Sequence, residues 1–261
     1  MALLEIANLS KRFGGLLAVA DVTFSVNDRE ILSMIGPNGA GKTTAFNCVT
    51  GLFPLSSGDI RLDDVSIAGL PPHRITKLGV ARTFQNIRLF SFMTALDNVM
   101  VGAHWWMKER VWDGALRTRR ARREERSVEE WAMELLDQLG IARYAGSYAR
   151  ELPYGLQRRL EIARALATHP RLLLLDEPAA GLNPQEKKEL MALISRLRDE
   201  GLTIFLIEHD MKVVMEISDR IVVLDHGEKI TEGVPQEVRN NPQVIEAYLG
   251  QGAAEKMAGG V

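Results

Sequence analysis

The residues with the clearest chemical potential form the segment Gly36-Pro37-Asn38-Gly39-Ala40-Gly41-Lys42-Thr43, which fits the phosphate-binding pattern G-x-x-x-x-G-K-[ST]. Its glycines let backbone N–H groups turn toward a polyphosphate, and a following helix adds partial positive charge at its N-terminus. In this pattern Lys42 reaches the β- and γ-phosphates and Thr43 offers its hydroxyl to Mg²⁺. The segment therefore predicts binding of a nucleoside triphosphate, and an ordinary glycine-rich turn is the alternative.

Two adjacent carboxylates, Asp176 and Glu177, follow the apolar run Leu172–Leu175. Acidic residues at the carboxyl end of a central strand lie where open α/β sheets bind ligands. Mg²⁺ at a phosphate loop is held partly by such an aspartate, so we expect Asp176 to hold the ion, through water. We expect Glu177 to polarise the water that attacks the γ-phosphate, a general-base role worth about 10²–10⁴ in rate. The alternative is a pair of surface carboxylates that simply ends a strand.

Both motifs need strands and helices to position them, and the surrounding patterns supply these. The run Ile31–Ile35 predicts a buried strand before the phosphate loop, and the residues up to about Val49 predict a helix after it. Leu172–Leu175 is fully apolar, as central parallel strands tend to be, and Leu202–Ile207 predicts a second buried strand. Pro184–Asp199 is typical of an amphipathic helix with proline in its first turn.

Shorter patterns complete the predicted elements, and Asp225-His226-Gly227 is typical of a hairpin turn between two of them. The other predicted strands are Leu3–Asn8, Val22–Val26, Ile60–Leu62, Val80–Phe84, Ile221–Leu224 and Glu228–Thr231. The other predicted helices are Pro72 to about Leu78, Leu156 to about Thr168, and Pro242–Leu249.

Composition changes between about residues 90 and 148, where charges are dense and apolar residues recur at helical spacing. All four tryptophans, Trp105, Trp106, Trp112 and Trp131, fall in this stretch, together with the basic run Arg117–Arg126. We therefore predict a helical subdomain inserted into an α/β core. The expected units are 1–89 for the first part of the core, 90–155 for the insertion, 156–250 for the rest of the core, and 251–261 for a disordered tail.

Bulk properties restrict the class of protein. The 261 residues are 46% hydrophobic and 25% charged, as expected for a soluble globular chain, and the net charge of −2 does not favour nucleic acid as a partner. The single Cys48 excludes an intramolecular disulfide and fits a reducing compartment. We expect no signal peptide and no membrane-spanning helix, because no apolar stretch approaches the roughly 20 residues that a span requires.

Five separated elements occur in a fixed order along the chain. They are the phosphate loop, Gln85 within Arg82–Asn86, the segment Leu152–Arg159 before a helix, Asp176-Glu177-Pro178, and His209 after Ile207-Glu208. In this order they resemble the nucleotide-binding subunits of ATP-binding cassette (ABC) transporters, over about Leu3 to Leu249. The resemblance implies an α/β fold with a P-loop NTPase (RecA-like) core, an N-terminal antiparallel β subdomain and an inserted α-helical subdomain.

The resemblance also implies an ATPase that uses ATP and Mg²⁺ and that closes as a dimer, with each ATP capped by the signature segment of the other subunit. The implied catalytic residues are Glu177, the switch histidine His209 and Gln85, which touches Mg²⁺ or the attacking water. The implied metal residues are Thr43, Gln85 and Asp176. The implied ATP-binding residues are Phe13, which stacks on adenine, Gly36, Pro37, Asn38, Gly39, Ala40, Gly41, Lys42, Thr43 and Thr44, and Gly155 of the signature segment.

This chain departs from the family pattern in the signature segment and in the loop that crosses the dimer interface. Where the usual signature is Leu-Ser-Gly-Gly-Gln, the chain has Leu152–Leu156, so Pro153 replaces the serine that meets the partner's γ-phosphate and Leu156 replaces the glutamine. Proline also lacks a backbone N–H, although Gly155 and a helix N-terminus remain for a phosphate contact. Asn183 replaces the usual aspartate of the loop that crosses the dimer interface. We expect this signature to stabilise the closed dimer less than a standard one.

A narrower resemblance comes from the sequence segments around these motifs, such as Ala179–Pro184 and Asn240–Gly250. These segments resemble the larger of two ATPases in bacterial importers of branched-chain amino acids, and systems for urea and other amides share much of the same sequence. The resemblance implies a peripheral protein on the cytoplasmic face of the inner membrane. Its partners would be a second, homologous ATPase in a heterodimer or homodimer, two permeases and, indirectly, a periplasmic binding protein, with no nucleic acid.

The basic and aromatic part of the insertion admits three interpretations: a nucleic-acid patch, a solvated helix face, or a contact surface for permeases or anionic lipid. Interleaved acidic residues weaken the first. The resemblance implies a permease helix docked near Gln85, so we expect an exposed apolar patch near Ile87–Phe92. Other classes remain as alternatives: a soluble cassette protein acting on nucleic acid or ribosomes, and an exporter or lipid-extraction ATPase.

Overall fold

The computed structural model describes residues 1–103 and 119–249. Trp105, Trp106 and Trp112, the start of the basic run at Arg117 and the expected tail 251–261 lie outside the described residues. In the part that is described, no helix combines the length and the apolar character needed to cross a membrane.

An antiparallel sheet of four strands forms the N-terminal part, with strand order β2-β1-β4-β5. The predicted strands at Leu3–Asn8 and Val22–Val26 prove to be parts of a longer hairpin, because pairing continues through the polar residues to the register Phe13↔Leu16. Backbone hydrogen bonds do not require apolar side chains, so the sequence pattern ended too early. The strands are β1 (Ala2–Phe13), β2 (Leu16–Asn27), β4 (Ser57–Leu62) and β5 (Val65–Ser66), the last of which the pattern did not predict.

A second sheet of six strands forms the core, in the order β10-β9-β3-β8-β7-β6. Its strands are parallel except β10, which pairs antiparallel with β9 through the predicted hairpin. Every residue of β3, β7 and β8 is buried, which explains why these strands are mostly apolar. The strands are β3 (Ile31–Ile35), β6 (Val80–Arg82), β7 (Leu172–Asp176), β8 (Thr203–Ile207), β9 (Arg220–Asp225) and β10 (Glu228–Gly233).

Helices pack on this sheet and form the inserted helical part. Five of them belong with the core strands: α1 (Lys42–Val49), α2 (Pro72–Lys77), α6 (Pro184–Asp199), α7 (Met211–Ile217) and α8 (Pro235–Arg239). A further helix, α9 (Pro242–Leu249), closes the described chain at the predicted place. The helical part contains α3 (Ala95–Ala103), α4 (Arg119–Gln138), 3₁₀ turns at Ala142–Tyr144 and Ala149–Glu151, and α5 (Tyr154–Leu166), which begins two residues before the predicted start.

Helix α3 crosses α5 at a glycine. A Cβ atom built on Gly102 would lie 2.3 Å from the carbonyl oxygen of Arg164 and 3.0 Å from the Cβ of Ala167. Buried apolar residues of α3, α4 and α5, including Val99, Leu135 and Leu160, share one cluster with the core. The helical part is therefore attached to the sheet by continuous packing whose spacing depends on this glycine.

We expect Gly102→Ala to lower the free energy of unfolding by about 1–3 kcal/mol, because the added methyl group must push α3 away from α5. Chemical denaturation of the full chain measures this. Gly146→Ala is the control, since its Cβ would meet nothing within 4 Å, and it should change stability by less than about 0.5 kcal/mol. Equal effects of the two substitutions would contradict close packing at Gly102.

Candidate functional site

The predicted phosphate loop joins the carboxyl end of β3 to the first turn of α1. Gly36 and Gly41 have φ angles of 151° and 97°, in the region that side chains other than glycine rarely adopt. A Cβ on Gly36 would lie 2.0 Å from the oxygen of Leu224, and one on Gly41 would lie 2.5 Å from that of Ala18. The loop is thus enclosed between β9 and β2, and both contacts require glycine.

Lys42 lies inside this loop. Its Nζ donates hydrogen bonds to the carbonyl oxygens of Gly36, at 2.7 Å, and Pro37, at 2.9 Å. Burial lowers the pKa of Lys42, and the nearby carboxylates of Glu177 and Asp176 oppose that shift. The lysine ammonium group, the loop backbone and the two carboxylates therefore share one electrostatic environment.

Glu177 is the point on which the predicted catalytic residues converge. Gln85 Nε2 donates to Glu177 Oε2 at 2.9 Å, and His209 Nδ1 lies 3.3 Å from the same oxygen. The backbone N–H of Glu177 donates to Ile207, the last residue of the neighbouring strand β8, and its φ angle of 47° is left-handed. Three residues far apart in sequence thus meet at the carboxyl edge of the parallel strands.

Asp176 is buried and forms an ion pair that sequence analysis did not predict. Arg82 NH2 lies 2.7 Å from Asp176 Oδ2, with both side chains almost completely buried. The same guanidinium donates to Asn47 Oδ1 of α1 at 2.7 Å and to Oγ1 of Thr50, the C-cap residue of that helix, at 3.2 Å. Arg82 therefore connects the helix after the phosphate loop to the strand that carries the acidic pair.

Glu208 is a second buried carboxylate to which the sequence analysis assigned no role. Its Oε1 accepts the N–H of Ala179 at 2.9 Å, and its Oε2 accepts that of His209 at 3.2 Å. Burial raises the pKa of Glu208, while these backbone donors oppose the rise. The carboxylate therefore fixes the backbone at Ala179, after the acidic pair, and at His209. A charged residue directly after a fully apolar strand was the signal that could have indicated it.

Phe13 ends β1 at the surface, where its side chain is 41% exposed. Its ring makes an edge-to-face contact with Phe53, with centroids 5.2 Å apart, and Lys11 Nζ lies 4.8 Å from its centroid. One face of an aromatic ring is thereby left accessible at the rim of the antiparallel sheet. This geometry is compatible with stacking on a planar ring, the role expected for Phe13.

Arg158, the first buried charged residue of α5, forms hydrogen bonds with the backbone of the segment that carries Gln85. Its side chain is fully buried and donates at 2.7 Å both to the carbonyl of Phe84 and to that of Gln85. Glu161, one turn later, lies 2.8 Å from Arg158 and accepts the N–H of Arg88 at 3.2 Å. Burial raises the pKa of Glu161, and Arg158 opposes that rise. Nothing in the sequence pattern distinguished these two residues from ordinary helix surface charges.

The signature segment packs against α6. Pro153 is the residue before the first turn of α5, and the atoms nearest to a Cβ built on Gly155 all belong to Glu186 of α6. Asn183 caps α6: its Oδ1 accepts the N–H of Glu186 at 2.9 Å, and Glu186 accepts the N–H of Asn183 at 3.0 Å. Gly155 and Asn183 are thus neighbours of α6, not members of the cluster around Glu177.

Comparison with known proteins identifies relatives over nearly the whole chain. The family profile described as ABC transporter matches residues 19–180, and that of the branched-chain amino acid ATP-binding cassette transporter matches residues 228–254. The high-affinity branched-chain amino acid transport ATP-binding protein BraF of Pseudomonas aeruginosa is 52% identical over 250 residues, which cover 95% of this chain and 98% of BraF.

Solved structures agree with the sequence relatives. The ADP conformation of an ATP-binding cassette of an ABC transporter superposes with a TM-score of 0.84 and 31% identity, over 96% of this chain and 100% of that one. A dimeric post-hydrolysis cassette bound to ADP and phosphate gives a TM-score of 0.75 and 26% identity, over 89% of this chain and 98% of that one. The fold expected from the sequence, a P-loop NTPase core with antiparallel β and helical additions, is confirmed.

We expect Arg158→Met to lower the free energy of unfolding by about 3–5 kcal/mol, because it leaves Glu161 as an unpaired buried carboxylate. Thermal and urea denaturation measure the loss. Arg159→Met is the matched control one residue away, where the partner Glu189 is 48% exposed, and it should cost less than about 1 kcal/mol. If Arg158→Met is as mild as its neighbour, the buried pair does not stabilise this junction.

Proposed function

The chain belongs to the ABC transporter family, and from this premise we propose that it is the ATP-hydrolysing subunit of a bacterial importer of branched-chain amino acids. One observation carries the hydrolytic role: Gln85 and His209 converge on Glu177 at the sheet edge reached by the phosphate loop. The role of BraF in branched-chain amino acid transport and the profile match at residues 228–254 support branched-chain amino acids over urea or other amides.

In the proposed reaction, Glu177 accepts a hydrogen bond from the attacking water and so increases its nucleophilicity toward the γ-phosphate. Gln85 and His209 both engage Oε2 of Glu177, so we assign the contact with water to Oε1. Lys42 and the backbone N–H groups of residues 36–44 would hold the β- and γ-phosphates. We assign the adenine ring to the exposed face of Phe13.

The oxygen-bearing side chains at this edge fit Mg²⁺, because hydroxyl, carboxylate and amide oxygens are the ligands that this ion prefers. We propose that Thr43, Asp176 and Gln85 hold it. Asp176 would act through water, since Arg82 already occupies its Oδ2. When bound, Mg²⁺ supplies positive charge that neutralises the phosphate oxygens.

A dimer completes this site. Gly155 lies beside Glu186 of α6, and a related cassette is dimeric with ADP and phosphate bound. We therefore propose that Gly155 meets the nucleotide held by a second, homologous ATPase, and that Pro153 weakens this cap because it offers neither hydroxyl nor N–H. A heterodimer with an ATPase of standard signature would compensate for that loss.

The groove between the core and the helical part is the proposed docking site for a permease. It encloses about 450 Å³ and includes Phe90 and Val101, with His73 of α2 on the opposite wall. Phe90 and Phe92 are 48% and 75% exposed, in agreement with the apolar patch expected at Ile87–Phe92. Two permeases bound here would hold the ATPases at the cytoplasmic face of the inner membrane, and a periplasmic binding protein would deliver solute from the other side. We propose residues 90–155 as the unit that transmits closure to them.

Glu177→Gln should abolish steady-state ATP hydrolysis while leaving ATP binding intact, because the amide keeps the shape of the side chain but cannot act as a base. Phosphate release measures hydrolysis. Light scattering with Mg-ATP measures binding through its consequence, a dimer that stays trapped because ATP is not hydrolysed. Glu216→Gln, an exposed carboxylate of α7, is the control and should behave like the parent chain. Hydrolysis that survives Glu177→Gln would rule out the proposed base.

Phe90→Asp should uncouple transport in vesicles that contain the permeases, because a charge in the groove opposes apolar docking. The hydrolysis rate of the isolated subunit should stay within about twofold of the parent chain, since Phe90 does not contact the cluster at Glu177. Val65→Asp changes an equally exposed apolar residue on β5 and should not affect transport. Normal transport by Phe90→Asp would exclude this groove as the docking site.

A further inference from the structure

A hydrogen bond connects the last described helix to the first residue of the phosphate loop. The backbone N–H of Gly36 donates to the hydroxyl oxygen of Tyr248 at 2.8 Å, across 212 residues of sequence. Tyr248 lies on α9, within the stretch matched by the branched-chain transporter profile. No sequence motif suggested this contact, because it depends on how the C-terminal helix packs.

Helix α9 is held in place separately from this bond. Val244 is 4% exposed and belongs to a small cluster with Ile35, Val223 and Val238, against which the ring of Tyr248 also packs. Ile35 is the last residue of β3 and directly precedes Gly36. The ring therefore contributes to packing, whereas the hydroxyl group alone reaches the loop.

The backbone of Gly36 is restrained from several directions. Its N–H donates to Tyr248, its carbonyl accepts from Lys42, and its α-carbon lies against the oxygen of Leu224. A phosphate group draws Lys42 toward itself in this type of loop, so the lysine contact competes with nucleotide. The Tyr248 contact does not, because it engages the residue where the loop leaves the strand.

Elsewhere a cleft separates α9 from the loop. It has a volume of about 630 Å³ and is lined by Asn38 and Gly39 on one side and by Gln243 and Glu246 on the other. Burial raises the pKa of the Tyr248 hydroxyl, which therefore remains neutral across the physiological range. The hydrogen bond from the Gly36 N–H to the neutral Tyr248 hydroxyl is thus the contact that connects α9 to the start of the loop.

We propose that Tyr248 is a positioning residue for nucleotide binding: its hydroxyl fixes the entry of the phosphate loop, so that the N–H groups that follow are presented to the phosphates. The proposal rests on the proposed function, since it concerns the same nucleotide site. It extends that site to the C-terminal helix, which contributes to nucleotide affinity without contacting nucleotide.

Tyr248→Phe in the full chain keeps the packed ring and removes only the acceptor. The Gly36 N–H then loses its partner, which we expect to weaken binding of both ATP and ADP roughly five- to tenfold. The two nucleotides should be affected alike, because the loop holds phosphates that both possess. The KM for ATP should rise by a similar factor while kcat at saturating ATP changes less than about twofold. Titration with fluorescent ATP and ADP analogues, together with steady-state kinetics, measures these quantities.

Val244→Ala is the matched control on the same helix. It should reduce thermal stability by removing buried methyl groups, yet leave the dissociation constants for ATP and ADP unchanged. If Val244→Ala weakens nucleotide binding as much as Tyr248→Phe, general docking of α9 and not the hydroxyl controls the loop, and the proposal is overturned. Unchanged dissociation constants in Tyr248→Phe, or a loss confined to kcat, would overturn it as well.

Lys42→Ala separates this proposal from the proposed function. If Lys42→Ala abolishes ATP binding while Tyr248→Phe binds normally, the nucleotide site is correct and only the role of Tyr248 fails. If Lys42→Ala binds ATP like the parent chain, the proposed site itself is wrong, and the role of Tyr248 fails with it. Strong loss in Lys42→Ala with moderate loss in Tyr248→Phe supports both.

Discussion

The buried ion pair between Arg158 and Glu161 is the interaction that holds helix α5 and the segment around Gln85 in a fixed relative position. Both residues lie on α5, immediately after the signature segment, yet their hydrogen bonds go to the backbone of residues 84–88. A charged pair in a protein interior stabilises it only when its remaining donors and acceptors are also satisfied. Here the carbonyl and N–H groups of the Gln85 segment satisfy most of them, Arg158 Nε being the exception, so the position of Gln85 and that of the signature helix are fixed together.

Charge balance extends from this pair to the whole site. Arg82 neutralises Asp176, and Lys42 lies close to both Asp176 and Glu177. Glu208 takes its compensation from backbone N–H groups, not from a basic side chain. The buried carboxylates are thus compensated either by arginine or by backbone N–H groups. Glu177 is only half-buried, and its partners Gln85 and His209 lie at the surface, where they could rearrange.

Sequence patterns predicted those parts of the fold that follow from local chemistry. Predominantly apolar runs identified β3, β7 and β8, and the phosphate loop followed from spacing alone. Resemblance to a family added Gln85 and His209, which no local pattern singles out, and the structure brings both to Glu177. Their chemical roles, like those of Phe13 and Gly155, remain predictions.

The unpredicted contacts are long-range and involve the backbone. Arg158, Glu161 and Tyr248 act on main-chain groups of distant segments, so their own side-chain type carries no signal of the partner. The lengths of β1 and β2 were underestimated for a related reason, because strand pairing continues through polar residues to the hairpin turn. Tertiary packing determines both these contacts and the strand lengths, and the local hydrophobic periodicity of a single sequence does not reveal it.

The left-handed backbone of Glu177 carries a consequence for the evolution of the protein. A residue with a Cβ atom at a φ angle of 47° costs free energy relative to glycine or asparagine, on the order of 1 kcal/mol. Selection for thermostability alone would therefore favour replacing this glutamate with glycine, and such a variant would gain stability as it lost its carboxylate. Under the proposed role of Glu177, retaining the carboxylate exchanges folding free energy for chemistry at a single residue.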